Sequence, residues 1–406
     1  MSRFICLVLF LIGSAQSQAA SENFTIIEKS FLQPVDHDDP LGETFDQQVF
    51  VLIPGTTTDA SNVFFILGNE TDATKDDLSR LYAAYGSPAD SIFVLAEHRG
   101  YGQSITDGDQ SKPSYITTAS ALDDYERLSK SFKESYSGSL FVAGCSYGGA
   151  LAINFGYQFP DVADAILATS APINWPFLIP QYSDQVIKNL GDDLSKRLRN
   201  HVVNLTPEKV HDETWQDREL ITALIVGLSQ TEEAQVFKPY INILSHLPTS
   251  IFVPILHKIT PEETYEWSRN RARKELDHDL ALTGNYNWYT WKYQQCTETG
   301  TFFTGPAFDY TKQDHIEDCV KTFGQSPTFF ERPSWDVEKM LVDTLTPTTV
   351  VLGGRDPWKN VGVKEDHRFP NVSYIYSESG YHCPDVNSEE LGASVFQRLK
   401  RNSNIQ

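Results

Sequence analysis

Phe141-Val142-Ala143-Gly144-Cys145-Ser146-Tyr147-Gly148-Gly149-Ala150 reads as a short strand, a tight turn and the start of a helix. Residues 141–143 are apolar, Gly144-Cys145-Ser146-Tyr147-Gly148 is a G-x-S-x-G pentapeptide, and residues 150–159 carry a helix pattern. Strand, turn and helix in that order are the setting in which this motif presents a nucleophile. Glycines two before and two after the serine let the chain reverse sharply and let neighbouring backbone approach closely. The reversal lifts the Ser146 hydroxyl clear of the sheet edge. The helix that follows points its N-terminus at any oxyanion formed there, with the Tyr147 N–H as one donor.

Outward from this stretch, residues 49–53, 63–67, 92–95, 140–143 and 165–168 are four- or five-residue apolar runs bounded by Gly, Pro, Asn or Asp. They read as buried strands, and residues 118–136, with Leu122, Tyr125 and Leu128 on one face, read as a helix between two of them. Such alternation predicts an α/β fold, a mostly parallel sheet with crossover helices. Between about Ile173 and Trp335 the strand runs stop and the chain turns helical: residues 217–229 form one helix, and Thr260-Pro261-Glu262-Glu263 opens another with a capping box. Strand runs resume at 348–352 and 372–376, and a helix over 388–400 ends the pattern. The expected organisation is a core of residues 20–172 and 336–406 interrupted by a helical insertion, 173–335.

A serine hydroxyl is a poor nucleophile unless a base takes its proton and an acid holds that base. On an α/β-hydrolase sheet the chain order is Ser, Asp or Glu, then His. The resumed strands supply both at their ends: Asp356 in Gly353-Gly354-Arg355-Asp356-Pro357-Trp358, and His382 in Gly380-Tyr381-His382-Cys383. Gly68-Asn69-Glu70 follows the strand at 63–67, where such a sheet places its second oxyanion donor, so Asn69 and Glu70 join Tyr147 as oxyanion candidates. Glu97-His98-Arg99 reads as a structural polar knot at a strand end. No metal or dinucleotide signature stands out, and acyl transfer by a triad needs no cofactor.

The 406 residues, 40% hydrophobic and 21% charged, suit two or three domains or one large fold with an insertion. Lys+Arg number 33 against Asp+Glu 54, a formal net charge of −21, which repels phosphate backbones and excludes nucleic acid as a partner. Beyond the N-terminus there is no run of the ~20 apolar residues that a membrane span requires, so no membrane partner is expected. Arg3, the apolar residues 4–12 and the small residues Ala15, Ser17, Ala19 and Ala20 read as a signal peptide over 1–19. Loss of Cys6 with it leaves an even number of cysteines: Cys145, Cys296, Cys319 and Cys383. Glycosylation is expected at Asn23, Asn204 and Asn371, whereas the sequon at Asn69 sits in a crowded loop and is expected to stay unused.

Further motifs carry a family resemblance. They include Gln33-Pro34-Val35-Asp36-His37, Phe45-Asp46-Gln47-Gln48, Glu97-His98-Arg99-Gly100-Tyr101-Gly102-Gln103-Ser104, Ala121-Leu122-Asp123-Asp124, Ser170-Ala171-Pro172 and Trp291-Lys292-Tyr293-Gln294-Gln295-Cys296-Thr297-Glu298. With the serine, aspartate and histidine motifs, in one order, the chain resembles the prolyl carboxypeptidase and dipeptidyl peptidase II family of lysosomal or secreted serine peptidases. That family also takes in fungal prolyl endopeptidases and thymus-specific serine protease. The resemblance implies an α/β-hydrolase core with a helical cap, and cleavage on the carboxyl side of proline. It implies Ser146, Asp356 and His382 as the triad, and a disulfide between Cys296 and Cys319. Trp358 resembles the family's pocket tryptophan, whose flat face packs on a proline ring.

The family has Gly where Cys145 stands, and a residue other than Cys where Cys383 stands. These two cysteines are then either a disulfide tying the histidine loop to the serine turn or two small buried thiols behind the triad. The expected function is that of a secreted or lysosomal peptidase taking proline-containing peptides or proteins through an acyl-enzyme, with a homodimer compatible. The alternatives are a secreted carboxylesterase or lipase on the same fold and a catalytically inactive binding protein. The acidic charge and the resemblance together predict an optimum at roughly pH 4–6, which requires substrate-bound His382 to titrate below its reference value of about 6.5.

Overall fold

The computed structural model describes residues 24–59, 61–106, 114–205, 213–259, 286–324, 336–364 and 368–403. The expected signal peptide, the Asn23 sequon and the helix start at Thr260-Pro261-Glu262-Glu263 lie outside the described residues. Strands β1 (Phe24–Pro34) and β2 (Thr44–Pro54) pair antiparallel. The chain then alternates through β3 (Asn62–Leu67), α1 (Lys75–Ala84), β4 (Ser91–Ala96), α2 (Thr118–Ser135), β5 (Leu140–Cys145), α3 (Tyr147–Gln158) and β6 (Ala165–Thr169). A largely helical segment follows: β7 (Leu178–Ile179), α4 (Pro180–Leu190), α5 (Asp192–Asn204), α6 (Glu213–Gln230), α7 (Lys238–Leu244), α8 (Thr249–Ile259), α9 (Tyr286–Gln294), β8 (Phe302–Phe303) and α10 (Lys312–Phe323). After α11 (Val337–Asp343) come β9 (Thr348–Gly353), β10 (Val372–Ser377) and α12 (Glu389–Ser403).

Eight strands form one sheet in the order β1-β2-β4-β3-β5-β6-β9-β10, parallel from β4 to β10. The inner strands carry unbroken apolar runs because helices cover both faces of a parallel sheet. Successive side chains point to opposite faces. Val63, Phe65 and Leu67 of β3 accordingly enter the core under α2 and α3, while Phe64 and Ile66 enter the one under α1 and α12. In the second core Phe64 lies 4.7 Å from Phe93 and 5.4 Å from Phe396, ring to ring. Each such buried ring contributes roughly 1.5–3 kcal/mol. The segment between β6 and β9 holds its own apolar cluster, built on Tyr182, Val186, Leu198, Trp215, Ile221 and Ile225. That segment was expected to lack strands, but β7 and β8 pair parallel there over two residues each, too few to leave a period in the sequence.

This topology decides where chemistry can occur. The strand order reverses around β3 and β5, so the loops leaving β3, β5, β6, β9 and β10 all open at the same, carboxyl-terminal edge of the sheet.

Candidate active site

Ser146 sits between β5 and α3 with φ 58° and ψ −126°, a conformation an L residue rarely adopts. Such backbone costs roughly 1–3 kcal/mol and persists only where its surroundings hold it. Here the Ser146 N–H donates to the Thr169 carbonyl at 2.9 Å, and the Ser146 carbonyl accepts from the N–H groups of Gly149 at 2.9 Å and Ala150 at 3.1 Å. Any side chain at Gly144 would collide with the Gly148 carbonyl. Gly148 in turn faces the Leu67 carbonyl and Asn69, so the serine turn abuts the Gly68-Asn69-Glu70 turn that leaves β3. Asn69 accepts the Thr71 hydroxyl at 2.9 Å. Glu70 has one carboxylate oxygen buried without a hydrogen-bond partner among the described residues, and burial raises its pKa.

Asp356, buried at the end of β9, places both carboxylate oxygens 3.0 Å from His382 Nδ1 and accepts the Trp358 N–H at 2.8 Å. The His382 N–H donates at 3.0 Å to the carbonyl of Gln230, the last residue of α6. From behind, Asp385 anchors the histidine loop. It is fully buried and accepts the hydroxyls of Tyr85 and Thr169, each at 2.9 Å, and burial raises its carboxyl pKa. Burial also works against the charged imidazolium of His382. The charge and hydrogen bond of Asp356, with the charge of Glu70, outweigh that penalty and hold His382 above its ordinary value. This direction belongs to the ligand-free protein, where Asp356 at the end of β9 and Glu70 in the turn after β3 both favour the protonated imidazole.

Cys145 and Cys383 are joined as a disulfide, with Cα atoms 6.0 Å apart, so the residue before Ser146 is bonded to the residue after His382. Cys296 is joined to Cys319. A donor atom of His382 lies within 4.8 Å of both sulfurs of the first bridge, but sulfurs bonded to each other offer no thiolate to a metal. Ser146, Tyr147, His382, Asn69, Glu70 and Trp358 line one cavity of about 650 Å³, the size of a small-molecule site. Trp175, Gln230 and Trp291 also line it, and none of them stands in a local pattern that marks a catalytic or binding role. Trp291 opens the Trp291–Glu298 motif, but only the fold shows which way it faces. Trp358 packs 5.3 Å from Tyr182 and 6.3 Å from His382, ring to ring, between the inserted segment and the histidine. Asn204 and Asn371 are exposed.

Glu97 and Arg99 lie away from this chemistry, while His98 touches the Tyr147 hydroxyl at 3.3 Å. The Glu97 carboxylate accepts the N–H groups of Ala73, Gln103 and Ser104 at 2.8–2.9 Å, and burial pushes its pKa up to about 7. Arg99 is fully buried in a two-point bond to Asp124.

A mostly parallel sheet that presents a serine on a strained strand-to-helix turn is an α/β-hydrolase, and here the buried aspartate–imidazole pair opens on the cavity that the serine lines. Residues 33–208 match the family model described as serine carboxypeptidase S28. The chain is 31% identical over 405 residues to thymus-specific serine protease of Homo sapiens, covering 85% of this chain and 78% of that protein. It is 25% identical over 427 residues to lysosomal Pro-X carboxypeptidase of Homo sapiens, covering 90% and 84%. Among solved structures, a thermophilic esterase from Thermogutta terrifontis aligns over 92% of this chain and 99% of its own, at 10% identity and a TM-score of 0.47, too remote to bear on activity. The chain belongs to the S28 family of serine peptidases, and peptides are its substrates.

Proposed function

We propose that this peptidase cleaves on the carboxyl side of proline, with Ser146 as nucleophile, His382 as general base and then acid, and Asp356 fixing the imidazole tautomer. The observation that carries the proposal is the Asp356–His382 pair opening on the cavity that Ser146 also lines. Ser146 Oγ attacks the scissile carbonyl as its proton passes to His382 Nε2, and the N–H groups of Tyr147 and of the Gly68–Glu70 turn receive the oxyanion. Collapse expels the amine, which takes the proton from His382. Water then repeats the sequence on the acyl-enzyme. Trp358 supplies a flat apolar face for the proline ring, which carries no N–H to satisfy.

Relatives named Pro-X carboxypeptidase support the specificity. The helices between β6 and β9 serve as a cap over this site, with residues 173–335 as cap and 20–172 with 336–406 as core. Two disulfides and relatives named lysosomal support a secretory route ending in the lysosome or outside the cell, with glycans at the exposed Asn204 and Asn371.

Profiling a peptide library with purified protein, cleavage sites read by mass spectrometry, tests the specificity. Proline before the cut is expected to be preferred over alanine at least tenfold in kcat/KM, about 1.4 kcal/mol. Trp358→Ala is expected to narrow that ratio more than it slows ester hydrolysis. Equal rates on Pro and Ala peptides, or activity confined to fatty esters, would transfer the assignment to a general peptidase or a lipase.

The raised proton affinity of His382 gives a second expected result. The base must be neutral, so kcat/KM is present above the free-enzyme pKa of His382 and is lost as pH falls through it. Because that pKa is raised, the acid limb is expected above the ordinary histidine value of about 6.5. A kcat/KM profile already at its plateau by pH 5 would refute this.

A further inference from the structure

The motif from Trp291 to Glu298 has so far contributed a cavity wall and a cysteine. Its polar side chains do something else. Helix α9 runs on into one π turn, Gln295–Thr299. Asn287, Thr290, Gln294 and Glu298 recur every three or four residues along it, one face of a helix. On a helix at a protein surface that stripe would meet water. Here Thr290 and Gln294 are fully buried. Asn287 accepts the Gly102 N–H at 2.8 Å, Thr290 donates to the Gly100 carbonyl at 2.7 Å, and Glu298 accepts the Thr118 N–H at 3.1 Å and hydroxyl at 3.0 Å. Gln294 accepts the Tyr101 hydroxyl and donates from Nε2 to the Tyr147 hydroxyl at 2.9 Å.

Tyr147 is the residue after Ser146, and its phenol is gripped at the tip. Thr118 Oγ1 lies 3.2 Å from the oxygen and His98 Nε2 3.3 Å. The tautomer of His98 in this cluster is fixed by its partner. The Arg99 carbonyl, 2.7 Å from His98 Nδ1, can only accept, so Nδ1 carries the hydrogen and Nε2 is left as an acceptor. Burial keeps His98 neutral, its pKa pushed down to about 4. The Tyr147 hydroxyl receives the Gln294 amide and has two acceptors within reach, His98 Nε2 and Thr118 Oγ1, whose own hydrogen goes to Glu298. Trp291 packs on the same ring at 5.4 Å.

We infer that Gln294 is a positioning residue for the oxyanion site, an inference that rests on the proposed role of the Tyr147 N–H. The Tyr147 ring joins the backbone through two rotatable bonds, but with Trp175 and Trp291 packed on the ring and the hydroxyl held at its tip, the side chain restrains the Cα that carries the N–H. An oxyanion donor acts only when it points at the place where charge develops. Through Gln294 that aim depends on a helix of the segment inserted between β6 and β9, which is stitched to the elbow by its buried polar face. Chemistry and the seating of α9 are thereby coupled.

The test compares Gln294→Met, which keeps the volume and removes both hydrogen bonds, with Tyr147→Phe, which keeps ring and backbone N–H and removes the phenol oxygen. Active sites are titrated to completion with a fluorophosphonate, so that misfolding lowers the titre and not the rate per site. Each variant is expected to lower kcat per titrated site about tenfold with KM changed less than about threefold, since the oxyanion contact is made in the transition state. Affinity for a peptide boronate should fall in step with kcat while product affinity holds. The double variant should lose little more than either single one, because both remove the same contact. Unchanged kcat per site in Tyr147→Phe, or losses that multiply in the double variant, would overturn the inference even if Gln294→Met fails to fold. Failure of the underlying assignment would show separately, as fluorophosphonate labelling that survives Ser146→Ala.

Discussion

Ser146→Ala is expected to lower turnover by about 10⁶ and to abolish fluorophosphonate labelling, with the fold intact. The oxygen lost is the one proposed to form the acyl bond, and neither His382 nor Asp356 can substitute for it. The fold should survive because the turn is held through backbone: the N–H and carbonyl of residue 146 keep their bonds to Thr169, Gly149 and Ala150 whatever the side chain. Alanine at φ 58° carries about the same strain as serine, so thermal unfolding should shift little. The check is single-turnover kinetics with a proline peptide, alongside a melting curve. An alanine variant that still labels would end the assignment of Ser146 and with it the proposed mechanism.

The second large effect is expected at Asp356→Asn, a loss of about 10⁴ in kcat. Both carboxylate oxygens face His382 Nδ1, so the carboxylate requires hydrogen on Nδ1 and leaves Nε2 bare to take the serine proton. An amide in the same place must still offer its oxygen to the Trp358 N–H, which turns its NH₂ toward the imidazole. Nδ1 then becomes an acceptor, Nε2 carries the hydrogen, and the base faces the nucleophile already protonated. The carboxylate's charge on the imidazolium also disappears. The acid limb of the residual activity should therefore move to lower pH while KM for a proline peptide changes little. A variant with more than a tenth of wild-type kcat would mean that another group orients His382.

What could be read from the chain and what could not divide along physical lines. Strands β3 to β6 and β9 are buried on both faces, so each shows as a short apolar run closed by Gly, Pro, Asn or Asp. Ser146 and Asp356 stand just after such runs, and His382 follows β10, a half-buried run at the sheet edge, which is why local pattern reached them. β1 was missed because Phe24–Pro34 lies at the sheet edge, mostly exposed, and its pairing depends on β2 rather than on its own period. α1 left a signal that went unread: Thr74 caps it, and Leu78 and Tyr82, four apart, form its buried face. Gln230, Asp385 and the direction of Trp291 had no local signature, since each is defined by what a distant segment places beside it. The proton affinity of His382 is the same kind of property. It is a balance between burial and two carboxylates, Asp356 26 positions away along the chain and Glu70 312 positions away, and only the folded arrangement sets the sign.

The bond between Cys145 and Cys383 gives the molecule a schedule. The two sulfurs are 238 residues apart in the chain, and at ~5–20 residues per second of synthesis the second follows the first by roughly 10–50 s. For most of that interval a nascent chain carries its serine turn without Asp356 and, until its last residue, without His382, and throughout it with an unpaired thiol next to the serine. The bridge closes only after β9 and β10 have been added to the far side of the sheet and the histidine loop has come back over β5. Proteolytic competence and covalent closure therefore arrive together, at the end of assembly. A chain broken off before residue 383 is both inert and recognisable by its open thiol, so a peptidase made this way does not threaten the compartment in which it is assembled until it is whole.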